Sequence, residues 1–146
     1  MQIYLAGPIA NLSHNQASEW RSYVETALPE FEVFNPMAYN NDTENGNLPN
    51  YNGTKRGNEI WQIDKENLER SDLILANFLG SKIISIGTCV EIGITVAMNI
   101  PIIVVMEDNN IHQHPFITVP AEFITDSLDE AIDYCKFVNE FASIKF

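Results

Sequence analysis

Three side chains of this 146-residue chain have the chemical types needed to cleave a glycosidic bond: Tyr4, Asp64 and Glu91. In that reaction one carboxylate traps an oxocarbenium-like carbon, and a second acid manages the proton of the leaving group. A hydroxyl group nearby suits the same chemistry. Each residue also has a simpler explanation, because tyrosines pack well in strands and carboxylates commonly face water. The argument therefore depends on where the surrounding sequence places them.

Asp64 interrupts an apolar row. Ile60, Asp64 and Leu68 are spaced by four residues, so on a helix they lie on one face. Burying a carboxylate is costly unless it is paired or has a function, which makes Asp64 a candidate acid. The alternative is a position at the edge of the stripe, facing water.

Glu91 follows a run of small residues, Ser85-Ile-Gly87-Thr88, at the start of a predicted helix. Free N–H groups and the helix dipole attract anions there, so these residues are candidate ligand contacts. Val90, Ile94, Ala97 and Met98 form the predicted inward stripe, and Glu91 is expected to point the same way. A carboxylate near a helix N-terminus stays ionised, as a nucleophile must. A glutamate that only balances the helix dipole is the alternative.

Other candidates lie in turns. Gly7 and Pro8 follow the first strand, and a residue without a Cβ lets the backbone approach a ligand. His112 and His114 follow the fourth strand, where solvated loop histidines are common and the H-x-H pair is a weak metal signal. We therefore predict neither a metal nor a cofactor.

Strands alternate with helices along the whole sequence. Strands are predicted at residues 2–6 and 31–34, and a fifth strand is predicted before the last helix. Continuous apolar runs at 72–77 and 100–106 predict two further strands that are covered on both faces. Ser13-x-x-Gln16 and Ser127-x-x-Glu130 resemble capping boxes that open helices, and further helices are predicted over about 58–70 and 87–98. This order favours a parallel sheet with right-handed crossovers.

The most economical architecture is a single α/β domain over residues 1–146: a flavodoxin-like, doubly wound, five-stranded parallel sheet in three layers. With strand order 2-1-3-4-5, the binding crevice lies beyond the carboxyl ends of strands one and three. The candidate residues after strand one and at the helix near Gly87 fall at that crevice. Residues 40–58 fit no element, with seven asparagines and three glycines, and are predicted to be either a lid loop or a flexible insertion.

Composition excludes several functions. Eight Lys and Arg against 20 Asp and Glu give a net charge of −12, which argues against nucleic-acid or anionic-membrane partners. No apolar stretch approaches 18 residues and no leader is recognisable, so we expect a cytoplasmic protein. Cys89 and Cys135 lie in apolar segments and are expected to be reduced and buried.

Three motifs taken in order resemble the nucleoside 2-deoxyribosyltransferase family: Y-L-A-G-P from Tyr4, D-x7-D-L-I-L-A-N from Asp64, and S-x-G-T-x-x-E-I-G from Ser85. The resemblance runs from Gln2 to about Leu128. It implies the flavodoxin-like fold, a covalent glycosyl intermediate on Glu91, a Tyr4 hydroxyl that orients Glu91, and an Asp64 that handles the base and its proton. It also implies homodimers or larger homo-oligomers in which a neighbouring subunit completes each site.

The sequence departs from that family at two positions. Ser85 stands where the transferases carry an aspartate for the 5′-hydroxyl of the sugar, and serine resembles the family's hydrolases of deoxynucleoside monophosphates. His114-x-Phe116 replaces the neighbour-supplied N-x-M motif. A 5′-phosphate would then meet Ser85, Thr88 and the helix N-terminus, with Arg56 and His114 within reach.

We therefore expect an enzyme that cleaves the N-glycosidic bond of 2′-deoxynucleosides or their 5′-monophosphates and transfers the deoxyribosyl group to another nucleobase. One alternative is a hydrolase that passes the group to water. The other is a non-catalytic nucleotide-binding module, which is disfavoured because a binder has no use for a buried, ionised carboxylate aimed at the sugar. In each case the partner is a small nucleoside, nucleotide or free nucleobase.

Overall fold

A computed structural model describes residues 1–40, 46–49, 51 and 53–144. The five strands are β1 (Gln2–Ala6), β2 (Glu32–Phe34), β3 (Leu73–Asn77), β4 (Ile102–Val105) and β5 (Phe123–Thr125). The helices are α1 (His14–Ala27), α2 (Lys55–Arg70), α3 (Ile86–Ala97), α4 (Pro115–Thr118) and α5 (Leu128–Ser143), and a 3₁₀ turn covers Pro36–Ala38.

All five strands pair in parallel in the order β2-β1-β3-β4-β5, which confirms the predicted doubly wound sheet. Every residue of β1, β3 and β4 is buried, because helices cover both faces of the sheet. Tyr4 lies in register with Phe34 on one side and Ile74 on the other. The carboxyl ends of β1 and β3 therefore meet at one edge, where the strand order reverses.

Two apolar cores confirm the three-layer arrangement. On one face, Val24 and Leu28 at the end of α1 pack with Ala131 and Cys135 of α5. On the other face, Leu68 of α2 and Ile92 of α3 pack against Tyr4, Ile74 and Val104 of the sheet. The two candidate carboxylates are on α2 and α3, so both belong to the second layer.

The two predicted capping boxes differ in outcome. At Ser13 the full reciprocal pair with Gln16 is present. At Ser127 the hydroxyl accepts from the Glu130 amide at 3.3 Å, but the Glu130 carboxylate does not return to the Ser127 amide. Thr125 takes that place: its hydroxyl donates to Glu130 at 2.6 Å and accepts from the Ser127 amide at 3.1 Å. The second predicted capping box is therefore only half present: the hydrogen bond from the Ser127 amide goes to Thr125 and not to Glu130.

Helix α2 begins at Lys55, earlier than predicted, because the Thr54 hydroxyl caps it by accepting from the Gly57 amide at 3.0 Å. The predicted loop over residues 40–58 is shortened accordingly, and residues 41–45, 50 and 52 of it lie outside the described residues. Leu48 is buried against Ala17 and Met37, so this part of the segment is anchored to the domain. Within the described part of the chain, no helix has the length and apolar character to cross a membrane.

The predicted inward stripe of α3 is wrong except at Ile94, which packs against the core on the same side of the sheet. The buried residues of this helix are Thr88, Ile92 and Thr95, whereas Val90 is 46% exposed and Met98 is 41% exposed. The helix is apolar around most of its circumference, so its sequence has no polar face that fixes its rotation. The observed rotation still places Glu91 beside the buried face, and it leaves an apolar surface uncovered.

Candidate active site

Glu91 is held by the first strand. The Tyr4 hydroxyl, whose residue is fully buried in β1, donates to Glu91 Oε1 across 2.7 Å. Glu91 itself is half-buried, one turn into α3. Because one carboxylate oxygen is occupied by a phenol that cannot move far, the second oxygen has a defined direction. This pairing of hydroxyl and carboxylate is the geometry that an oriented nucleophile needs.

Asp64 is held by a second tyrosine. The hydroxyl of Tyr39, which follows the 3₁₀ turn after β2, donates to Asp64 Oδ1 in a short hydrogen bond. Asp64 is half-buried at the middle of α2, between Ile60 and the fully buried Leu68. The acid in the apolar row is thus paired and does not lie free in water.

The two carboxylates line one cleft of about 470 Å³ between α2 and α3. Two aromatic side chains, Tyr51 and Trp61, also line it, as do Gly87 and Val90 of α3. The remaining walls come from the segment before α2 and from α2 itself: Gly53, Thr54, Gly57, Asn58, Ile60, Lys65 and Leu68. The cleft has the size, the aromatic lining and the few convergent polar groups that are typical of small-molecule sites.

Burial raises the pKa of both acids into the neutral range. Desolvation raises the pKa of Glu91 to about 7, against the hydrogen bond from Tyr4, which favours the ionised form. Desolvation likewise raises the pKa of Asp64 to about 6, and the Tyr39 hydroxyl opposes it. The negative charge of Asp64 adds to the rise at Glu91. The expectation that Glu91 stays ionised is therefore wrong for the free protein: as the pair loses its second proton near neutral pH, the higher pKa of Glu91 keeps that proton more on Glu91 than on Asp64.

Arg21 is a residue that the sequence argument missed. It is fully buried on α1, where its guanidinium donates to the Gly7 carbonyl at 2.9 Å and to carbonyls of Leu5 and Ala17. Among the described residues it forms no ion pair. Its charge lowers the pKa of Glu91 and of Asp64, although less than burial raises them. On an amphipathic helix an arginine predicts a solvent position, so no sequence signal marked it.

Gly7 has a packing reason for lacking a side chain. A Cβ there would lie 2.9 Å from the Asn77 carbonyl oxygen and 3.0 Å from the Trp20 ring. The turn after β1 therefore sits directly against the end of β3 and against α1, and Pro8 follows it in a half-buried position. The close approach expected of Gly7 is thus made to protein atoms.

The start of α3 is built as a capped helix. The Ser85 hydroxyl lies 2.8 Å from the Thr88 hydroxyl and accepts from the Thr88 amide at 3.4 Å. The Ser85 amide donates to Nε2 of the buried His112 at 2.8 Å. Gly87 faces the cleft, and nothing lies within 4 Å of where its Cβ would be. Of the candidate ligand contacts Ser85, Gly87 and Thr88, Gly87 is thus the one that lines the cleft with Glu91.

The other predicted ligand contacts lie further away. Arg56 donates to the Tyr39 carbonyl at 2.5 Å and lies 3.6 Å from Glu59, so it braces the turn that carries Tyr39. His114 caps α4 and lines a separate cavity of about 330 Å³ near Glu107. Phe116 stacks on His114 and is 82% exposed. Neither of these two residues lines the cleft of the chain that holds Glu91. The described residues contain no cluster of three or more His, Cys, Asp or Glu that could hold a metal ion.

A doubly wound α/β domain with two tyrosine-held carboxylates facing one cleft at its topological switch point has the features of an enzyme that breaks glycosidic bonds. The sequence profile of the nucleoside 2-deoxyribosyltransferase family matches residues 3–136. The chain belongs to this family.

Solved structures with the same fold share little sequence with it. The 2-deoxyribosyltransferase of Bacillus psychrosaccharolyticus is 19% identical, with a TM-score of 0.69 over 92% of each chain. A conserved protein from Enterococcus faecalis V583 is 17% identical, with a TM-score of 0.67 over 93% of this chain and 97% of that one. The Clostridium botulinum CMP N-glycosidase BcmB is 18% identical, with a TM-score of 0.60 over 94% of this chain and 99% of that one. A sequence comparison with curated proteins finds no significant match.

Proposed function

We propose that this protein cleaves the N-glycosidic bond of 2′-deoxynucleosides or their 5′-monophosphates and passes the deoxyribosyl group to another nucleobase. The observation that carries the proposal is the pair of carboxylates, Glu91 and Asp64, each fixed by a tyrosine hydroxyl and both lining one cleft. Membership of the nucleoside 2-deoxyribosyltransferase family supports the same reaction class. Tyr51 and Trp61 give the cleft aromatic surface on which a planar base can stack.

In the first step the free oxygen of Glu91 attacks C1′ of the sugar. The bond from C1′ to the base nitrogen breaks, and the base leaves with the electron pair. Tyr4 keeps Oε1 occupied, so attack comes from Oε2 in one orientation. The product is a glycosyl ester of Glu91, which stores the sugar until an acceptor arrives.

Asp64 supplies the proton. The reactive state has Glu91 ionised and Asp64 neutral; from it Asp64 donates its proton to the departing base and becomes ionised. Burial raises the pKa of Asp64 to about 6, which keeps its neutral form accessible as Glu91 ionises. In the second step the ionised Asp64 accepts a proton from the incoming base while the nitrogen of that base attacks C1′. The ester bond breaks and Glu91 returns to its carboxylate form.

Hydrolysis is the second candidate, in which water replaces the acceptor base. Ser85 favours it, because serine at this position resembles the family's hydrolases of deoxynucleoside monophosphates. A neutral hydroxyl and the N-terminus of α3 suit the 5′-phosphate of such a substrate, which an aspartate would repel. Ser85→Asp tests this point without disturbing the helix, since aspartate is an equally good N-cap. The expected result is a fall in kcat/KM for the monophosphate and a rise for the free nucleoside. An unchanged preference in Ser85→Asp would contradict a phosphate subsite at Ser85.

We also propose that copies of the chain assemble and share sites. Ile86, Val90 and neighbouring small residues form an uncovered apolar stripe on α3, and Val90 also lines the cleft. Phe116 and Val119 are 82% and 80% exposed. Apolar surface of this extent is typical of an interface, and one that borders the cleft can bring a neighbour's residues to it.

The decisive experiment incubates the protein with deoxynucleosides and deoxynucleoside monophosphates, with and without free adenine, and separates the products by chromatography. A new nucleoside in the presence of adenine indicates transfer, and release of the base in the absence of adenine indicates hydrolysis. The absence of both products would contradict the proposal. Glu91→Ala should lower the rate by several orders of magnitude with the fold intact. A variant that keeps more than about a tenth of the activity, which is ~1.4 kcal/mol of barrier, would exclude Glu91 as the nucleophile.

Mass spectrometry of acid-quenched reactions provides the matching direct observation. The peptide that contains Glu91 should gain the mass of one deoxyribosyl group, and the gain should disappear in Glu91→Ala. Glu107→Ala is the control, because this glutamate lies outside the cleft and is bonded to Gly80 and Asn110.

A further inference from the structure

We propose that Tyr39 is a positioning residue for Asp64: its hydroxyl holds one carboxylate oxygen so that the other alone serves the nucleobase. The inference rests on the proposed function and adds to it the group that sets the direction of proton transfer. Tyr39 lies outside the motifs that point to the reaction, in the turn after β2.

Tyr39 is itself held at three points. Its amide donates to the Met37 carbonyl as the C-cap of the 3₁₀ turn. Its carbonyl accepts from Arg56 at 2.5 Å, which ties the turn to the start of α2. Its ring lies 6.0 Å from the ring of Phe34, centroid to centroid. A hydroxyl so placed can fix a partner, because it has little freedom of its own.

The two tyrosines of the site are connected through Phe34. The rings of Tyr4 and Phe34 stack at 5.2 Å, and Phe34 in turn contacts Tyr39. One aromatic row therefore supports both hydroxyl groups, one on each carboxylate. A shift of this row would move both hydroxyl groups, and each hydroxyl holds one of the two carboxylates.

The Tyr39 hydroxyl also acts on the charge of Asp64. As a donor it stabilises the ionised carboxylate and lowers the pKa that burial has raised. Among the described residues, the other charged or titratable groups near this pair come from β1, α1, α2, α3 and the segment before α2: Tyr4, Arg21, Tyr51, Arg56, Lys65 and Glu91. Of these, Arg21 also lowers the pKa of Asp64, and within the described part of the chain the Tyr39 hydroxyl is the side-chain donor that does so by a hydrogen bond. Removing the Tyr39 hydroxyl alone should therefore raise the pKa of Asp64.

A direct titration tests this without relying on activity. Side-chain carboxyl signals of ¹³C-labelled aspartate are followed by NMR against pH, and Asp64 is assigned with Asp64→Asn. The Asp64 inflection is expected at about 6 in the wild type and should rise by about one pH unit in Tyr39→Phe. Tyr23→Phe is the matched control, because the Tyr23 hydroxyl donates to Asp129 at 2.6 Å on the exposed surface. An Asp64 inflection that stays in place in Tyr39→Phe overturns the proposal.

Labelling tyrosine at Cζ gives a second measurement on the unmutated protein, which decides the question even if Tyr39→Phe does not fold. The Tyr39 signal should show an inflection at the pKa of Asp64, and this inflection should vanish in Asp64→Asn. A Tyr39 signal that does not sense Asp64 overturns the proposal.

Kinetics then separate positioning from a purely structural role. Tyr39→Phe should lower kcat about tenfold on natural nucleosides with little change in KM, and less on substrates whose leaving group needs no proton. The pH optimum should move up by about half a unit, since it lies midway between two pKa values and one of them rises. Equal losses on both substrates at an unmoved optimum overturn the positioning role. A wild type without activity would instead contradict the proposed function and leave the two titrations to decide the pairing.

Discussion

At the scale of single residues, burial in the cleft disfavours the ionised forms of Glu91 and Asp64 and raises the pKa of each. Glu91 has an ordinary pKa of 4.5 and a folded pKa of about 7. The unfolded chain therefore ionises at lower pH than the folded protein. Below pH 4.5 the carboxyl is neutral in both states and the raised pKa has no effect. As the pH rises to about 7, the free energy of unfolding falls, because the unfolded chain has already lost the proton.

This predicts that Glu91→Gln is more stable than the wild type at high pH. The variant should gain about 2 kcal/mol at pH 8 and much less at pH 5, measured as the free energy of thermal or denaturant unfolding. Glu107→Gln is the opposing control: hydrogen bonds from its own amide and from Asn110 lower the pKa of Glu107, so its loss should destabilise at both pH values. A Glu91→Gln variant with the same stability difference at pH 5 and pH 8 would show that the carboxyl is not desolvated.

At the scale of elements, the start of α2 depends on Gly57. A Cβ at this position would lie 2.4 Å from the Tyr51 carbonyl oxygen. That oxygen accepts from the Thr54 amide at 3.1 Å and from the Thr54 hydroxyl at 2.8 Å, so the turn cannot give way without losing the helix cap. Glycine is thus required here by close backbone approach, in a helix position where it is otherwise unfavourable.

Gly57→Ala should therefore lower stability by about 1–3 kcal/mol, although alanine is the better helix former. Because Tyr51 and Gly57 both line the cleft, KM for the nucleoside should rise as well. Gln62→Ala on the exposed side of α2 serves as the control and should leave both quantities unchanged. A Gly57→Ala protein as stable as Gln62→Ala would mean that the turn relaxes freely.

Strand positions could be predicted from the sequence, and helix orientations only in part. The strands β1, β3 and β4 are mostly apolar runs, and short runs of this kind are typical of parallel strands that are covered on both faces. The rotation of α3 about its axis could not be predicted, because the helix carries apolar residues around most of its circumference. Tyr4, Asp64 and Glu91 follow recognisable patterns, whereas Tyr39 lies in a turn without periodicity. Tertiary contacts alone bring its hydroxyl to Asp64.

At the scale of the whole molecule, charge and apolar surface act in opposite directions. The net charge of −12 opposes the approach of copies at long range. Screening limits that repulsion to about 8 Å at physiological salt, so local contacts decide. Ile86 is 76% exposed on α3, where its burial against a second copy would remove apolar surface from water. Ile86→Asp should therefore dissociate the proposed oligomer in light scattering, whereas Phe141→Asp on α5, in the opposite layer, should not.

Shared sites lead to a sharper expectation than assembly alone. His114 and Phe116 line no part of the cleft in their own subunit, yet they stand beside an exposed apolar surface. If they complete a neighbour's cleft, Glu91→Ala and His114→Ala remove different halves of one site. Each pure variant should be impaired, because every site in it lacks one half. After mixing and subunit exchange, some sites pair an intact Glu91 with the intact His114 of a neighbour, so activity should reappear.

For a dimer mixed in equal amounts, about half of the molecules are hybrids with one intact site each, and recovery should approach a quarter of wild-type activity. The measurement is the rate of base release before and after exchange, with each variant incubated alone as the control. A fully active wild-type monomer at micromolar concentration, or a mixture no more active than its parts, would place each complete site within one subunit.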